Sequence, residues 1–478
     1  MACRRKAVVL GAGFAGLWMA DRLLDQGLEV ELLEQNEQAG GLMETVLHEG
    51  LPLDLGPHIL LAPGLTHYRR ILGSELLSLR GFYAFGCRGK QIPSPLSPVN
   101  LLKTLGPFGA LPFAAGMAWQ RVPGVPPRPP WKNLEELLVA RFGRPVVRAF
   151  FSDYVPKVSG LPASAVSQDW FLERHRFYQE HNLGSRWLRT AASSCLDALR
   201  RKGPPEQGLE IYYPSGGAQR LTDNLCAAIR ARGAAVRLGT RVTRIGLDTD
   251  RVRFAECRTA DGRASKAEGD LFVSTVPLTH LPGLFGGALG PEAEAAARAL
   301  GWRHLCLYYL QVDQERVSNK IQIYFTEDRY PFKRIYEPKN LIAPPGSEGR
   351  TVLCAEICYG GGDGTGELDE AGVREEVLGG VCRFYRVPRE RLRFLFSRRV
   401  PHAYAVYRLG YRGPLQRMAA ALFRIDNFIS YGRQGSFRYN HLVDRIIDAS
   451  EAVVEYVGRS SGRKRDFLGE PRAKSDFF

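Results

Sequence analysis

Long uninterrupted apolar runs are missing from this chain. The nearest approach, Thr104 to Gln120, is seventeen residues without a charge and is broken by Pro107 and Pro112. A membrane-crossing helix needs roughly 20 apolar residues, so this segment reads instead as a helical lid packed on the protein or as a patch that dips into one leaflet. Paired cysteines are also missing. The nine cysteines are odd in number, scattered and never spaced as CxxC, which excludes a structural zinc ribbon or disulfide scaffold and suits a reducing, cytoplasmic compartment, with peripheral attachment at the inner face of a membrane as the alternative. The nine histidines show no metal-ligand spacing, and no metal is assigned. The GxSxG string GRSSG at 458–462 falls in the basic tail and not at a strand-to-helix turn, so it makes no nucleophile elbow, which argues against hydrolase chemistry. No array of interleaved basic and aromatic residues occurs either, and nucleic acid is not expected as a partner. Acidic side chains are in short supply: 50 against 65 basic ones leaves a net charge of +15. That field favours anionic partners such as phosphorylated ligands, carboxylated substrates or an anionic membrane. The start, MACRRKAVVLGAG, puts basic residues before an apolar run that glycine interrupts too soon for a signal peptide.

What is present begins at that glycine. AVVLGAGFAG carries Gly11, Gly13 and Gly16 as GxGxxG, between an apolar strand pattern at 7–10 and a helical pattern at 14–24. In such a turn Gly11 permits the tight bend, Gly13 lets a phosphate reach the backbone, and Gly16 lets the helix lie close on the strand. The free amides and the positive end of the helix dipole then face a pyrophosphate. Ala12, Phe14 and Ala15 complete the cradle. A second strand pattern, LEVELL at 28–33, ends in Glu34, 18 residues beyond Gly16. A carboxylate there, with Gln35 beside it, can accept both hydroxyls of an adenosine ribose and would repel a 2′-phosphate.

Farther along, LPLDLGPHILL (51–61) reads as a strand, 94–131 is proline-rich, and helical patterns run from 133 to about 199. At 212 the texture changes to a glycine turn, an amphipathic helix, a strand at 235–245 and a hairpin with ADGR at its tip. An apolar strand at 270–277 should then rejoin the first sheet. Alternating patterns over 303–358 predict a second, antiparallel sheet, and strand, glycine turn and helix return over 427–457. The glycine-rich stretch 359–372 has no GxGxxG register and carries acids at 363, 367, 369 and 370. It reads as a flexible loop before an N-capped helix, which leaves one dinucleotide site and no second motif for nicotinamide. The predicted class is α/β: a Rossmann-like dinucleotide-binding domain with an inserted antiparallel-sheet substrate domain and a helical subdomain. The expected boundaries are 1–93, 206–285 and 421–457 for the dinucleotide domain, 94–205 for the helical insertion, 286–420 for the substrate domain and 458–478 for a disordered basic tail.

Which dinucleotide is bound is indicated by a resemblance. EQNEQAGGLMETV, DLGPHIL, YYPSGGAQRL, GTRVTRI, STVP and above all YGRQGSFRYNHLVDRII resemble segments of the flavin-containing amine oxidase superfamily, including its protoporphyrinogen oxidase and UDP-galactopyranose mutase branches. The resemblance implies FAD. It places Gly40, Gly41 and Leu42 along the phosphates and ribityl chain, where Leu42 replaces the usual arginine, so that phosphate charge would be met elsewhere, with Arg433 the candidate. It places Gly56, Pro57 and His58 at the flavin ring, Val242 at the adenine, and Gly432, Arg433, Phe437 and Tyr439 on the cofactor side of the closing turn. It also suggests Arg334, Tyr336, Tyr404, Tyr407 and Arg408 as substrate contacts. The arginines could fork onto a phosphate or carboxylate, with surface ion pairs and sheet packing as the alternative.

The implied activity is hydride transfer from an anionic or amphipathic small molecule to the flavin, with an electron acceptor the sequence does not specify. Two alternatives stay open: an isomerase that works on a nucleotide sugar through reduced flavin, and a flavin-binding scaffold without turnover.

Overall fold

A computed structural model describes residues 5–94, 96, 98–119, 129–173, 208–344, 346–360, 370–439 and 443–458. The predicted helices beyond 173, most of the acidic glycine loop, Asn440–Leu442 and the basic tail lie outside the described residues.

Strand β1 (Lys6–Leu10) alternates its side chains between two cores, Ala7 and Val9 on one face, Val8 and Leu10 on the other. A strand buried on both faces needs apolar residues at every position, which explains its unbroken apolar run. It forms the centre of a five-stranded parallel sheet in which Phe428–Ser430, Leu271–Ser274, β1, β2 (Glu29–Leu33) and Ala235–Arg237 lie side by side. Helix α1 (Phe14–Asp25) covers one face together with the helices Gln219–Ala231 and Val443–Gly458. Trp18 of α1 donates its indole N–H to Ser450 at 2.8 Å, tying the two ends of the chain together.

The predicted strand at 235–245 is two elements. Gly239, at φ 59°, turns the chain out of the parallel sheet, and Thr240–Asp248 pairs instead in a three-stranded antiparallel sheet with Arg251–Thr259 and Ala264–Glu268. LPLDLGPHILL is likewise shorter as a strand than its pattern predicts. Pairing covers Leu51–Asp54, and Gly56 at φ 107° breaks it.

The second sheet has seven strands, in the order Leu392–Ala405, Trp302–Val312, Thr351–Tyr359, Arg334–Tyr336, Gln322–Phe325, Tyr83–Cys87 and Lys90–Pro93. Its strand Trp302–Val312 alternates as the sequence does: Cys306, Tyr308, Leu310 and Val312 face the helix Glu370–Tyr385, and Leu305, Leu307 and Tyr309 face Leu51 and Leu53. The hairpin Tyr83–Pro93, grouped by sequence with the first part of the dinucleotide domain, belongs to this sheet. It joins through one parallel contact, Tyr83–Gly86 along Gln322–Phe325. The helix Pro98–Trp119 follows, kinked at Gly106 (φ 74°), so that Pro107 starts a new helical segment where its missing N–H costs nothing. No helix among the described residues is long and apolar enough to cross a membrane.

Candidate functional site

At the carboxyl end of β1 the chain makes a cradle that only glycine fits. A Cβ on Gly16 would lie 1.9 Å from the Gly11 carbonyl oxygen, and one on Gly11 would lie 2.3 Å from Thr275 Oγ1. A Cβ on Gly13 would meet nothing nearer than 4.0 Å, leaving that face open. No side chain caps the start of α1 and no acid stands in its first turn, so its free N–H groups are available to an anion. Phe14 turns inward and stacks on Trp18, with ring centroids 6.1 Å apart, and Ala15 is buried.

Glu34, at the end of β2, is buried. Its Oε2 accepts the Ala12 N–H at 2.8 Å and its Oε1 the Asn36 N–H at 2.9 Å. The carboxylate is thereby fixed beside the cradle with lone pairs to spare, while Gln35 is exposed. The Glu34 carbonyl accepts the Thr240 N–H at 2.7 Å, bringing in the strand that carries half-buried Val242. Gly40 donates to the Ala12 carbonyl at 2.9 Å, and a Cβ on Gly41 would lie 3.2 Å from Gly13 Cα. From the far end of the chain Gly432, at φ 82°, packs so tightly that its Cβ would lie 2.7 Å from that of Ala15. Four segments distant in sequence thus meet on one loop.

The strand Leu51–Asp54 leads away from the cradle to the other end of the site. Asp54 is buried and accepts from Thr45 Oγ1 at 2.5 Å and Ala218 N at 3.0 Å, while burial pushes its carboxyl up to about 7. Leu42, half-buried, lends its backbone to His58, whose Nε2 is buried and without a partner. Burial first, and then Arg433 and Arg334, push this imidazole down to about 4, so it is neutral at pH 7. Gly56 and half-buried Pro57 precede it, and a Cβ on Gly56 would stand 3.4 Å from Glu356 Oε1 and 3.7 Å from Arg334 Nη2.

Glu356 is the centre of a cluster drawn from three strands of the second sheet. Arg334 forks onto its Oε1 through Nε at 2.9 Å and Nη2 at 2.6 Å, and Lys333 Nζ lies 3.0 Å from its Oε2. Burial alone would raise the Glu356 carboxyl, but Arg334 and Lys333 outweigh it and hold the group below its ordinary value. Lys333 also donates to the Tyr404 hydroxyl at 2.7 Å. Burial opposes its charge, and Glu356 with Tyr404 more than offsets that. Arg433 lies over the Tyr404 ring at 5.0 Å and donates to the Ala403 carbonyl at 2.6 Å; its Nε is buried and unpartnered. Tyr439 completes the wall, 5.2 Å from Tyr404 and 5.3 Å from Trp170 between ring centroids. Two cations, Lys333 and Arg334, close on one buried carboxylate, and Arg433 lies across Tyr404 from them.

The arrangement departs from the sequence expectation at several residues. The Arg433 guanidinium, expected near the phosphates, is committed to Ala403 and Tyr404 beside His58. Tyr336 donates from the core to the Asp54 carbonyl, and Tyr407 is buried with its hydroxyl on Glu173 at 2.9 Å. Arg408 is exposed, bridged to Val166, and outside the cluster, lying beyond the end of the strand Leu392–Ala405 where the chain turns outward. Phe437, at φ 54°, packs on Trp302 at 4.9 Å. Lys333 and Glu356 were missed. The signal for Glu356 was its place as the single charge in TVLCAEICY, an otherwise apolar strand. Among the described residues no cluster could hold a metal ion.

A family model for flavin-containing amine oxidoreductases matches residues 14–433. A phytoene desaturase of Cercospora nicotianae is 44% identical over 64 residues, 13% of this chain and 10% of that protein. A lycopene-forming phytoene desaturase of Paracoccus sp. is 23% identical over 330 residues, 62% of this chain. The match spans 58% of that relative's length. Among solved structures, reduced UDP-galactopyranose mutase superposes with a TM-score of 0.76 at 20% identity, covering 98% of each chain; at that identity the likeness concerns the fold.

Proposed function

Since this chain belongs to the family of flavin-containing amine oxidoreductases, we propose that Glu34, the Gly11–Gly16 turn, Gly40–Gly41 and Gly432 hold FAD with its ring end toward His58, and that the substrate is an anionic or amphipathic small molecule. The protein is an enzyme that uses FAD. FAD, when bound, would supply the redox chemistry, hydride acceptance from a C–H bond with onward passage of electrons to a second acceptor. The residues of this chain do the rest. The cradle receives the diphosphate, Glu34 the ribose hydroxyls, and neutral His58 lines the ring end without adding charge. Tyr404, Tyr439 and Trp170 exclude water, and Lys333, Arg334 and Arg433 orient the substrate by its negative group.

The observation that carries this reading is the buried excess of cations around Glu356, since unpaired buried charge is costly unless an anion joins it. Peripheral contact with a membrane through 104–120 is part of the same reading. The test is anaerobic mixing of the FAD-loaded enzyme with polyprenyl compounds, porphyrins and nucleotide sugars, the first suggested by the desaturase relatives. Bleaching of the visible flavin band by one of them supports the reading; silence with all of them sinks it. A second reading, isomerisation of a nucleotide sugar, is favoured by Lys333 and Arg433 converging on Tyr404, a geometry suited to a diphosphate. It predicts product formation only after prior reduction of the flavin.

A further inference from the structure

The helix Pro98–Trp119 holds three of the six large apolar side chains that stand exposed among the described residues: Phe108 at 90%, Leu111 at 65% and Leu102 at 50%. Its other face is ordinary core, Leu101, Ala110 and Phe113 packing on Cys87, Ile92, Val146 and Phe150. The helix contains no acidic residue. Exposed cations flank it. Lys103 is on it, Lys90 donates to the Thr104 carbonyl at 2.8 Å, and Arg88 reaches Gly109. Arg144 and Arg148 flank Pro145, against which Gly116 packs. Glu327, which accepts the Gly89 N–H at 3.4 Å beside this rim, is half-buried and paired with Arg329 at 3.2 Å, and Glu135 and Glu136 are half-buried too. An apolar ridge inside a basic rim is the pattern that partitions into the headgroup region of a negatively charged bilayer.

The buried side of the helix leads to the site. Phe113 meets Phe150 at 5.7 Å, Phe150 meets Phe85 at 5.9 Å, Phe85 stacks on Tyr324 at 5.8 Å, and Arg334 lies over Tyr324 at 6.0 Å.

We propose that the helix Pro98–Trp119 is a docking surface for an anionic lipid bilayer, with Phe108 and Leu111 sunk among the acyl chains and Arg88, Lys90, Lys103, Arg144 and Arg148 on the headgroups, so that the enzyme draws an amphipathic substrate from the membrane. The proposal rests on the amphipathic-substrate reading above. Its test is flotation of the full-length FAD-loaded protein with vesicles of phosphatidylcholine alone or with 30 mol% phosphatidylglycerol, about 30% being enough to set a strongly negative surface. Partitioning should rise about ten-fold or more with the anionic lipid and fall with added salt. Phe108→Ser with Leu111→Ser should lower it about ten-fold on both vesicles, whereas Lys103→Glu with Arg144→Glu should abolish the preference between them. Equal partitioning of wild type and both variants, or no binding to either vesicle, overturns the proposal. So does a dimer in solution that Phe108→Ser dissolves, since a second copy would then cover the ridge. Vesicle binding without flavin bleaching by any compound in the panel would instead retain the docking surface and sink the substrate reading.

Discussion

Single side chains decide whether the cofactor stays. Glu34→Arg replaces an acceptor of two ribose hydroxyls with a donor of the wrong sign. The loss of charge-assisted hydrogen bonds is worth about 1.5–3 kcal/mol, so FAD affinity should fall roughly ten- to hundred-fold, seen as loss of the visible flavin band on gel filtration. Glu356→Gln leaves Lys333 and Arg334 buried without their counter-charge, which should cost about 3–5 kcal/mol in chemical denaturation.

Buried titrating groups set opposing slopes of stability against pH. Asp54 has its folded pKa raised to about 7 and Asp444 to about 6. Each binds its proton more tightly folded than unfolded, so its contribution is complete below the ordinary carboxylate range and is lost as pH rises through those values. His58 and His402 are depressed to about 4. Being neutral when folded and charged when unfolded, they make stability rise from pH 4 to about 6.5. The two pairs cancel over much of that range. Asp54→Asn should therefore uncover a steeper rise, by up to about 1.4 kcal/mol per pH unit, in denaturation curves taken from pH 4 to 7. An unchanged slope would mean that Asp54 is ionised in the folded protein.

Elements are joined here through contacts too close for a side chain. Gly432 sits at φ 82° with Ala15 at its back, so Gly432→Val should push the closing turn off the start of α1 and release FAD while leaving the distant second sheet folded. Retained flavin absorbance, with unchanged near-ultraviolet circular dichroism, would count against that coupling. At this scale the sequence was readable wherever periodicity and burial agree. β1, β2, α1 and the alternation along Trp302–Val312 follow directly from their apolar patterns, as do the glycines of the first turn. It was unreadable where one residue redirects the chain. Gly239 carries no mark distinguishing a turn from a strand interior, so the segment at 235–245 looks continuous, whereas at 51–61 the Gly56-Pro57 pair is a turn signal set inside an otherwise apolar run. The cation cluster was half visible. Arg334 and Tyr404 lie in aromatic-basic stretches, but their meeting with Glu356 depends on the register Arg334↔Glu356 between neighbouring strands, which no local pattern specifies.

The molecule as a whole is stitched from segments far apart in sequence. The parallel sheet takes strands from 6–33, 235–237, 271–274 and 428–430, and the cofactor cradle touches most of them. FAD binding should therefore stabilise the dinucleotide core as a unit. At a hundred-fold excess over Kd the gain is about 2.7 kcal/mol, read as a rise in the thermal midpoint that the Glu34→Arg variant lacks. The long connections also explain why strand order and the parentage of the Tyr83–Pro93 hairpin escaped sequence reading: pairing between remote segments is fixed by tertiary packing.

That hairpin bears on how the protein is made. Tyr83–Cys87 leaves the ribosome early, yet its parallel partner, Gln322–Phe325, is translated more than two hundred residues later. For the intervening time the nascent chain carries an unpaired strand edge. A holding chaperone, or a pause in translation timed to the arrival of the partner strand, would guard it against sticking to its neighbours on a polysome.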